Sequence, residues 1–376
     1  MHKLHYFYPA NDIALAVNSP GFTPPVAAAR LCEAGAMLPL WYGDAGDRVL
    51  GSVNARWFDD VVEAFGLQTD VFSGDASTYE PAPWGWSMPV RRVYANAGFS
   101  TCELPDDNSL ATLRRLSHRR TAAVLSARLR ACGLPVASPA VEITDASEID
   151  AVIAAQGRSV VKMPWSSSGR GIIDTVNLKA DDLRRQVAGV IRRQGSAMVE
   201  KWHQRRADFA ILFHTDGHGG CVYSGLSVFN TDHRYVYTGN LVAAQSVLRS
   251  RLCEFIDPAL LDSLSAALTA ILASEVASHY RGPLGVDMMV TEGEGEPVTV
   301  AELNLRNTMG HVSLALAENI MAKGHEGVFS SEYVDNIPAL ATTHAEVSAR
   351  RLVAGTLFLT PPVSLPGFAF TLRVTR

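Results

Sequence analysis

The chain opens with short β-rich runs alternating with stretches of helical periodicity. His2 to Tyr8 reads as a strand, ended by Pro9-Ala10-Asn11-Asp12. A loop from Asn18 to Pro25 follows, with Thr23 placed to cap a helix over Ala27 to Ala34 and Gly35 to stop it. Met37 to Tyr42 reads as a second strand, and the alternation continues to about Tyr94. Such alternation predicts an α/β lobe with a mostly parallel sheet. Pro81 to Pro89, with Trp84 and Trp86 among prolines and a glycine, reads as an irregular loop.

Helical spacing then dominates. Leu113, Leu116, Val124, Leu125 and Leu129 form an apolar stripe between Asn108 and Cys132, with a break near Ser117-His118 and a stop at Gly133. Val141 to Ile143 turns the chain toward a further lobe, whose start falls between Asp106 and Thr121. Ser159 to Lys162 and Ile172 to Val176 read as strands around a serine-glycine loop. Ala180 to Gln194 is an amphipathic helix with Leu183, Val187, Val190 and Ile191 on one face. Ala197 to Lys201 is a strand that breaks at a polar connector and resumes at Phe209 to Phe213. Cys221 to Leu241 reads as two strands, and Asp257-Pro258 starts a long helix that closes at Arg281-Gly282. Val312 to Met321 is another helix, and two apolar runs between Val353 and Val374 predict edge strands.

The sharpest departure from simple patterning lies between Val286 and Arg306. Val286 to Val290 is apolar but for Asp287; Val298 to Leu305 is apolar but for Glu302 and Asn304, with Arg306 just beyond. An acidic glycine turn joins them, which predicts an antiparallel hairpin. Side chains alternate faces along a strand, so Glu302, Asn304 and Arg306 share one face, and folding back brings Asp287 beside them. Polar groups on a buried strand cost free energy unless something pairs them. Oxygen ligands of this kind suit magnesium, which takes few carboxylates and completes its shell with phosphate oxygens and water. A salt-bridged sheet edge, with Arg306 neutralising Glu302, fits the same residues.

Composition narrows the picture. The 376 residues are 47% hydrophobic and 19% charged, with a net charge of −5. That is globular, with core enough for two or three lobes, and without the clustered Lys and Arg of a nucleic-acid surface. The five cysteines are dispersed, with no C-x-x-C, as expected of reduced thiols in a cytosolic protein. The start of the chain lacks the pattern of a signal peptide, and no apolar run is long enough to span a bilayer, so neither secretion nor a membrane is expected.

Further candidate chemistry sits in loops. Lys162 and Arg170 flank Ser166, Ser167, Ser168, Gly169 and Gly171, a makeup that lets backbone N–H groups close on a polyphosphate; an ordinary hairpin tip fits it too. The connector after Lys201 would offer backbone to an adenine edge and Asp208 to a ribose hydroxyl, while His203 alone reads as a surface residue. Asn11, Asp12, Ser19 and Thr23 lie beyond the carboxyl end of the first strand, where α/β sheets bind ligands; a capped turn with no ligand is the favoured reading of the same residues.

Lys162 with its loop, Glu200-Lys201-Trp202 with Asp208, Asp287, and Glu302-x-Asn304-x-Arg306 stand in an order that resembles the ATP-grasp superfamily, over roughly Thr121 to Glu318. The last motif is similar to the E-x-N-x-R of the carboxylase branch, and Glu200-Lys201-Trp202 to the hinge of D-alanine–D-alanine ligases. The resemblance implies an ATP-grasp fold, α+β in its catalytic part, behind a Rossmann-like α/β lobe. That lobe would span residues 1–113 and the ATP-grasp domain 114–376, with a mobile lid at about 140–199, a central nucleotide and magnesium sheet at about 200–330 and edge strands at about 350–376. The implied activity is ADP-forming ligation of a carboxylate to an amine or thiol through an acyl phosphate. A kinase on the same fold and a non-catalytic nucleotide-binding module are the other readings.

The resemblance also implies roles. Lys162 binds the α-phosphate and the adenine side, and with Arg306 is the catalytic candidate. Ser167, Ser168, Gly169, Arg170 and Gly171 belong to the phosphate lid. Glu200, Lys201 and the backbone at Trp202 meet adenine, and Asp208 the ribose. Asp287, Glu302 and Asn304 hold magnesium, two ions in number, with manganese a substitute. The lysine usual near the start of the domain is missing; Arg119 and Arg120 stand nearest, and Arg120 is the expected replacement. Asn11, Asp12, Ser19, Thr23, Asn230, His233 and Asn307 would face the acceptor by their place in the lobe order. A homodimer suits the standalone architecture.

Overall fold

The computed structural model describes residues 1–166, 171–232, 235–292, 295–335, 344–361 and 366–375. Its first layer is built from β1 (His2–Tyr6), α1 (Asn11–Val17), α2 (Val26–Ala34), β2 (Arg48–Val49), α3 (Ala55–Phe65), β3 (Asp70–Val71), β4 (Tyr79–Pro83) and α4 (Met88–Asn96). The strands lie in the order β3-β2-β1-β4, all parallel, as strand–helix alternation predicts. Met37 to Tyr42 is no strand: Leu38–Trp41 forms a buried 3₁₀ turn. Pro39 cannot donate to a ladder, and the buried Leu38, Leu40 and Trp41 do not alternate. Conversely, Pro81 and Pro83 belong to β4, which tolerates them because it is an edge strand. Pro25, not Thr23, stands at the start of α2, which has no side-chain cap.

The helical run divides into α5 (Asp107–Leu116) and α6 (Arg120–Ala131), broken at Ser117–Arg119. A small antiparallel sheet follows from β5 (Val141–Ile143), β6 (Ser159–Lys162), β7 (Ile172–Asp174) and β8 (Ala197–Lys201), in the order β5-β8-β6-β7. Between them run α7 (Ile149–Gln156) and α8 (Ala180–Gln194), and the buried face of α8 closes a local core with Val161 and Val199.

The largest layer is a nine-stranded antiparallel sheet. Its strands are β9 (Arg205–Asp216), β10 (Cys221–Thr231), β11 (Tyr237–Val242), β12 (Arg281–Thr291), β13 (Val298–Asn304), β14 (Glu326–Val334), β15 (Glu346–Ser348), β16 (Arg351–Phe358) and β17 (Gly367–Thr375). They order as β13-β12-β9-β10-β11-β14-β17-β16-β15, with α9 (Gln245–Leu252), α10 (Pro258–Glu275) and α11 (Met309–Ala315) inserted. Helix α10 stops at Glu275, short of the expected Arg281-Gly282, since those two residues already pair with β9. The second of the two terminal runs is not at the edge either: β17 lies between β14 and β16. Its Phe370 meets Phe7 edge-on at 5.8 Å, so the end of the chain completes the core of its first layer. None of the described helices is long and apolar enough to cross a membrane.

Candidate active site

The expected hairpin forms. β12 and β13 pair antiparallel, with Asp287 opposite Glu302 and Gly285 opposite Asn304. Period-two alternation therefore presents Asp287, Glu302 and Asn304 to one face, where Asn304 Nδ2 donates to Asp287 Oδ2 at 2.9 Å. Burial, and then the neighbouring Glu302, push the Asp287 carboxyl up to about 7. Glu302 is partnered not by Arg306 but by Arg119, at 3.0 Å. Arg306 instead grips Asp12 of α1, through Nε at 3.0 Å and a terminal nitrogen at 2.8 Å.

That grip fixes the first lobe on the hairpin. Arg306 forms an isolated bridge with Gly85, where a Cβ would lie 2.7 Å from Asn11 and 2.8 Å from the Arg306 Cβ. Only glycine lets the two segments approach so closely.

One cavity of about 380 Å³ gathers most of the expected site residues. Lys162, Glu200, Lys201, Trp202, Asp208, Asp287, Glu302, Asn304 and Arg306 all line it. Lys162 and Asn304 thus share one cleft. Lys162 Nζ sits 2.5 Å from Glu200 Oε2, with both side chains largely buried. Asp208 accepts from Thr231 Oγ1 at 2.7 Å and Arg205 at 3.0 Å, yet desolvation raises its carboxyl above the usual range. Val160, Ile172, Trp202, Met288 and Met289 give the same cavity an apolar stretch.

Several expectations change. Arg120 turns away from the cavity and pairs with Glu142 at 2.5 Å, half exposed. Arg119, its neighbour, lines the cavity, is 8% exposed, and also donates to the Met163 carbonyl at 2.6 Å and the Ser166 hydroxyl at 2.7 Å. The Trp202 N–H is taken by the Arg158 carbonyl at 2.8 Å, so that donor is spent within the protein. His203 lines the cavity rather than the outer surface. Asn230 is exposed, because Ser227, Phe229 and Thr231 take the cavity face of β10 and strand alternation sends Asn230 to the other. Thr23 is exposed, and neither it nor Ser19, Asn307 or Asn11 lines the cavity. Asn11 is buried against Gly85, Trp86 and Ser87. Ser167, Ser168, Gly169, Arg170 and His233 lie outside the described residues; Gly171 is described, with φ of +75°.

Other lining groups had no sequence signal of their own. Tyr237 donates to Asn240, whose amide donates to Ser227 Oγ at 2.7 Å, and all three line the cavity. Their spacing looks like ordinary strand polarity until β10 and β11 pair.

Among the described residues no cluster of three or more His, Cys, Asp or Glu side chains is set to hold a metal. Asp287, Glu302 and Asn304 supply two carboxylates and a carboxamide, the sparse donor set that suits magnesium carrying phosphate oxygens and water. A cation fits here: Asp287 stands opposite Glu302 on the paired strands, burial beside that second carboxylate holds its carboxyl up, and an opposite charge would relieve both.

No family model matches this chain, and no curated protein matches it. Solved structures do. Biotin carboxylase from Campylobacter jejuni, in a β,γ-ATP complex, aligns with a TM-score of 0.55 at 10% identity, over 100% of this chain and 88% of that one. The biotin carboxylase domain of Hydrogenobacter thermophilus 2-oxoglutarate carboxylase, a dimer with MgADP, ADP and bicarbonate, gives 0.55 at 12% identity, over 100% and 86%. N5-carboxyaminoimidazole synthetase from Staphylococcus aureus gives 0.54 at 11% identity, over 100% and 93%. At such identities the likeness is one of fold.

Proposed function

We propose that this chain, whose fold is the ATP-grasp fold, is an ATP-dependent ligase that joins a carboxylate to an amine or thiol, forming ADP and phosphate. The observation that carries the reading is the single cleft in which Lys162, Arg119 and Arg306 face Asp287, Glu302 and Asn304. Cations for a polyphosphate and oxygen ligands for its metal meet there, beside an apolar stretch fit for a base. The nucleotides bound by the Campylobacter and Hydrogenobacter proteins support the same choice of ligand.

The roles follow from position. Val160, Ile172, Trp202 and Met288 would sandwich adenine, and Asp208 would accept from a ribose hydroxyl. Lys162 would exchange its contact with Glu200 for phosphate oxygens. Arg119, in place of Arg120, would hold phosphate at the cavity wall. Asp287, Glu302 and Asn304 would hold the magnesium, whose positive charge screens the triphosphate. Arg306, fixed by Asp12, would present its remaining N–H groups to the transferred phosphoryl group or the acceptor carboxylate.

The chemistry needs this arrangement because a carboxylate has no good leaving group. A carboxylate oxygen attacks the γ-phosphorus and ADP departs, leaving an acyl phosphate. The nucleophile then attacks the acyl carbon, loses its proton, and phosphate leaves with the C–O electrons. Positioning and charge neutralisation do most of the work in phosphoryl transfer, and a closed site keeps water from the acyl phosphate. We assign residues 1–113 to an N-terminal lobe and 114–376 to the ATP-grasp domain, in a cytosolic enzyme that works as a homodimer.

Product analysis by phosphorus NMR tests the reaction. Free phosphate and ADP appearing together with a new amide or thioester support a ligase. A stable phosphorylated product means a kinase on this fold, and nucleotide binding without turnover means a regulatory module.

A further inference from the structure

The cleft has two unlike halves. Its charged lining residues come from Arg119 just before α6, from β6, β8, β9, β12 and β13, and from Arg306 just beyond β13. The wall supplied by the first lobe is uncharged and mostly hydrocarbon, with Ile13, Ala27, Ala28 and Leu31; Met309 and Phe368 continue it, beside the hydroxyls of Thr308 and Ser331. Among the described residues, no charged side chain of the first lobe lines the cavity. Ile13, Leu31, Met309 and Phe368 are only partly buried and belong to the same apolar cluster as Phe7 and Phe370. This is therefore the open edge of a core rather than a scatter of exposed side chains. Apolar area facing a cavity is stabilised by an apolar occupant, and a charged occupant there would lose water without gaining a partner.

Arg306 stands where the halves meet, since the Asp12 that grips it precedes Ile13 on α1. A carboxylate at Arg306 leaves its remaining substituent to lie against α1 and α2. Resting on the ligase reading above, we infer that the carboxylate substrate carries an uncharged hydrocarbon group, aliphatic or aromatic, seated on the Ile13–Leu31–Phe368 wall. Bicarbonate and phosphorylated carboxylates are disfavoured: the first reaches no part of that wall, and the second sets charge against it. A methylene in such a pocket is worth on the order of tenfold in selectivity, so the preference is measurable.

The experiment compares octanoate and hydrocinnamate with bicarbonate and phosphoglycolate, in the full chain with MgATP. Binding is read by calorimetry, and turnover by ADP release with hydroxylamine as the surrogate nucleophile. The control is Ala27→Asp, which places charge on the wall at an exposed position in the first turn of α2, where an acid suits the helix dipole. The inference predicts that the hydrocarbon carboxylates bind at least about tenfold more tightly than phosphoglycolate, that Ala27→Asp abolishes the difference, and that MgATP affinity is unchanged. It is overturned if phosphoglycolate or bicarbonate binds as well or better, if no hydrocarbon carboxylate binds, or if Ala27→Asp leaves the preference intact. The ligase reading fails separately: hydrocarbon carboxylates that bind, with loss in Ala27→Asp, but yield no ADP or hydroxamate keep the compartment and remove the ligation.

Discussion

At the scale of single residues, two adjacent arginines make the clearest contrast. Arg119 lies against Glu302 inside the cleft and Arg120 against Glu142 outside it. Losing one charge-stabilising donor in a transition state costs roughly a hundredfold in rate. Arg119→Ala is expected to lower kcat/KM by about that factor, whereas Arg120→Ala removes a half-exposed pair worth about 1 kcal/mol or less and leaves steady-state rates near normal. Asp287 offers a second test. Its carboxyl is destabilised by burial at neutral pH, so Asp287→Asn is expected to abolish turnover while raising the melting temperature of the ligand-free protein. Glu302→Gln is expected to abolish turnover without unfolding. Full activity in both variants with magnesium present would contradict the metal assignment. Which arginine enters the cleft was not legible in sequence: both stand at a helix start, and only the break at Ser117–Arg119 decides which one turns inward.

Two histidines set an acid limit. Burial lowers the His118 and His311 imidazoles to about 4, against an ordinary value near 6.5. Above the ordinary value both states are neutral and nothing changes. As pH falls from about 6.5 toward 4 the unfolded chain takes up protons that the folded one refuses, so stability is lost across that window. Denaturant midpoints in His118→Gln and His311→Gln are expected to fall less over this range than in the parent protein.

At the scale of elements, the β12–β13 hairpin and the strands β6 and β8 follow directly from the pattern, because alternation and turn composition fix them locally. Elements whose state depends on distant partners do not. The stretch Met37–Tyr42 has strand-forming residues but becomes a 3₁₀ turn around Pro39, and β17 becomes an interior strand because β16 and β14 flank it. The polar positions of β10 depend on distant partners in the same way: its pairing with β9 and β11 turns Ser227, Phe229 and Thr231 to the cavity and Asn230 away from it. Gly85 tests the close packing of the segment after β4. A methyl there would press on Asn11 and Arg306, so Gly85→Ala is expected to cost about 1–3 kcal/mol by overpacking and to lower turnover through displacement of Arg306. Unaltered kcat with unaltered stability would show that the close approach is dispensable.

At the scale of the whole molecule, the first lobe is not a separate body set beside a catalytic domain. Its core continues into Val312, Phe329, Phe370 and Leu372 from the far end of the chain, and its α1 reaches the hairpin through Asp12 and Arg306. Breaking a buried ion pair by removing one partner typically costs about 3–5 kcal/mol; Asp12→Ala is expected to lose stability of that order in urea titrations, and to lose activity even where the protein remains folded. Strand and helix propensities could forecast the α/β lobe, but not its union with the C-terminal strands, since nothing local marks which distant strand covers an apolar face.

Every role proposed above requires one cleft between these layers to hold a magnesium triphosphate. A crystal structure of the full chain with a non-hydrolysable ATP analogue and magnesium tests it most directly. Phosphates between Lys162 and Arg119, metal density against Asp287 and Glu302, and the base beside Trp202 are the expected result. Nucleotide bound elsewhere, or a cleft left empty at saturating analogue, would contradict it.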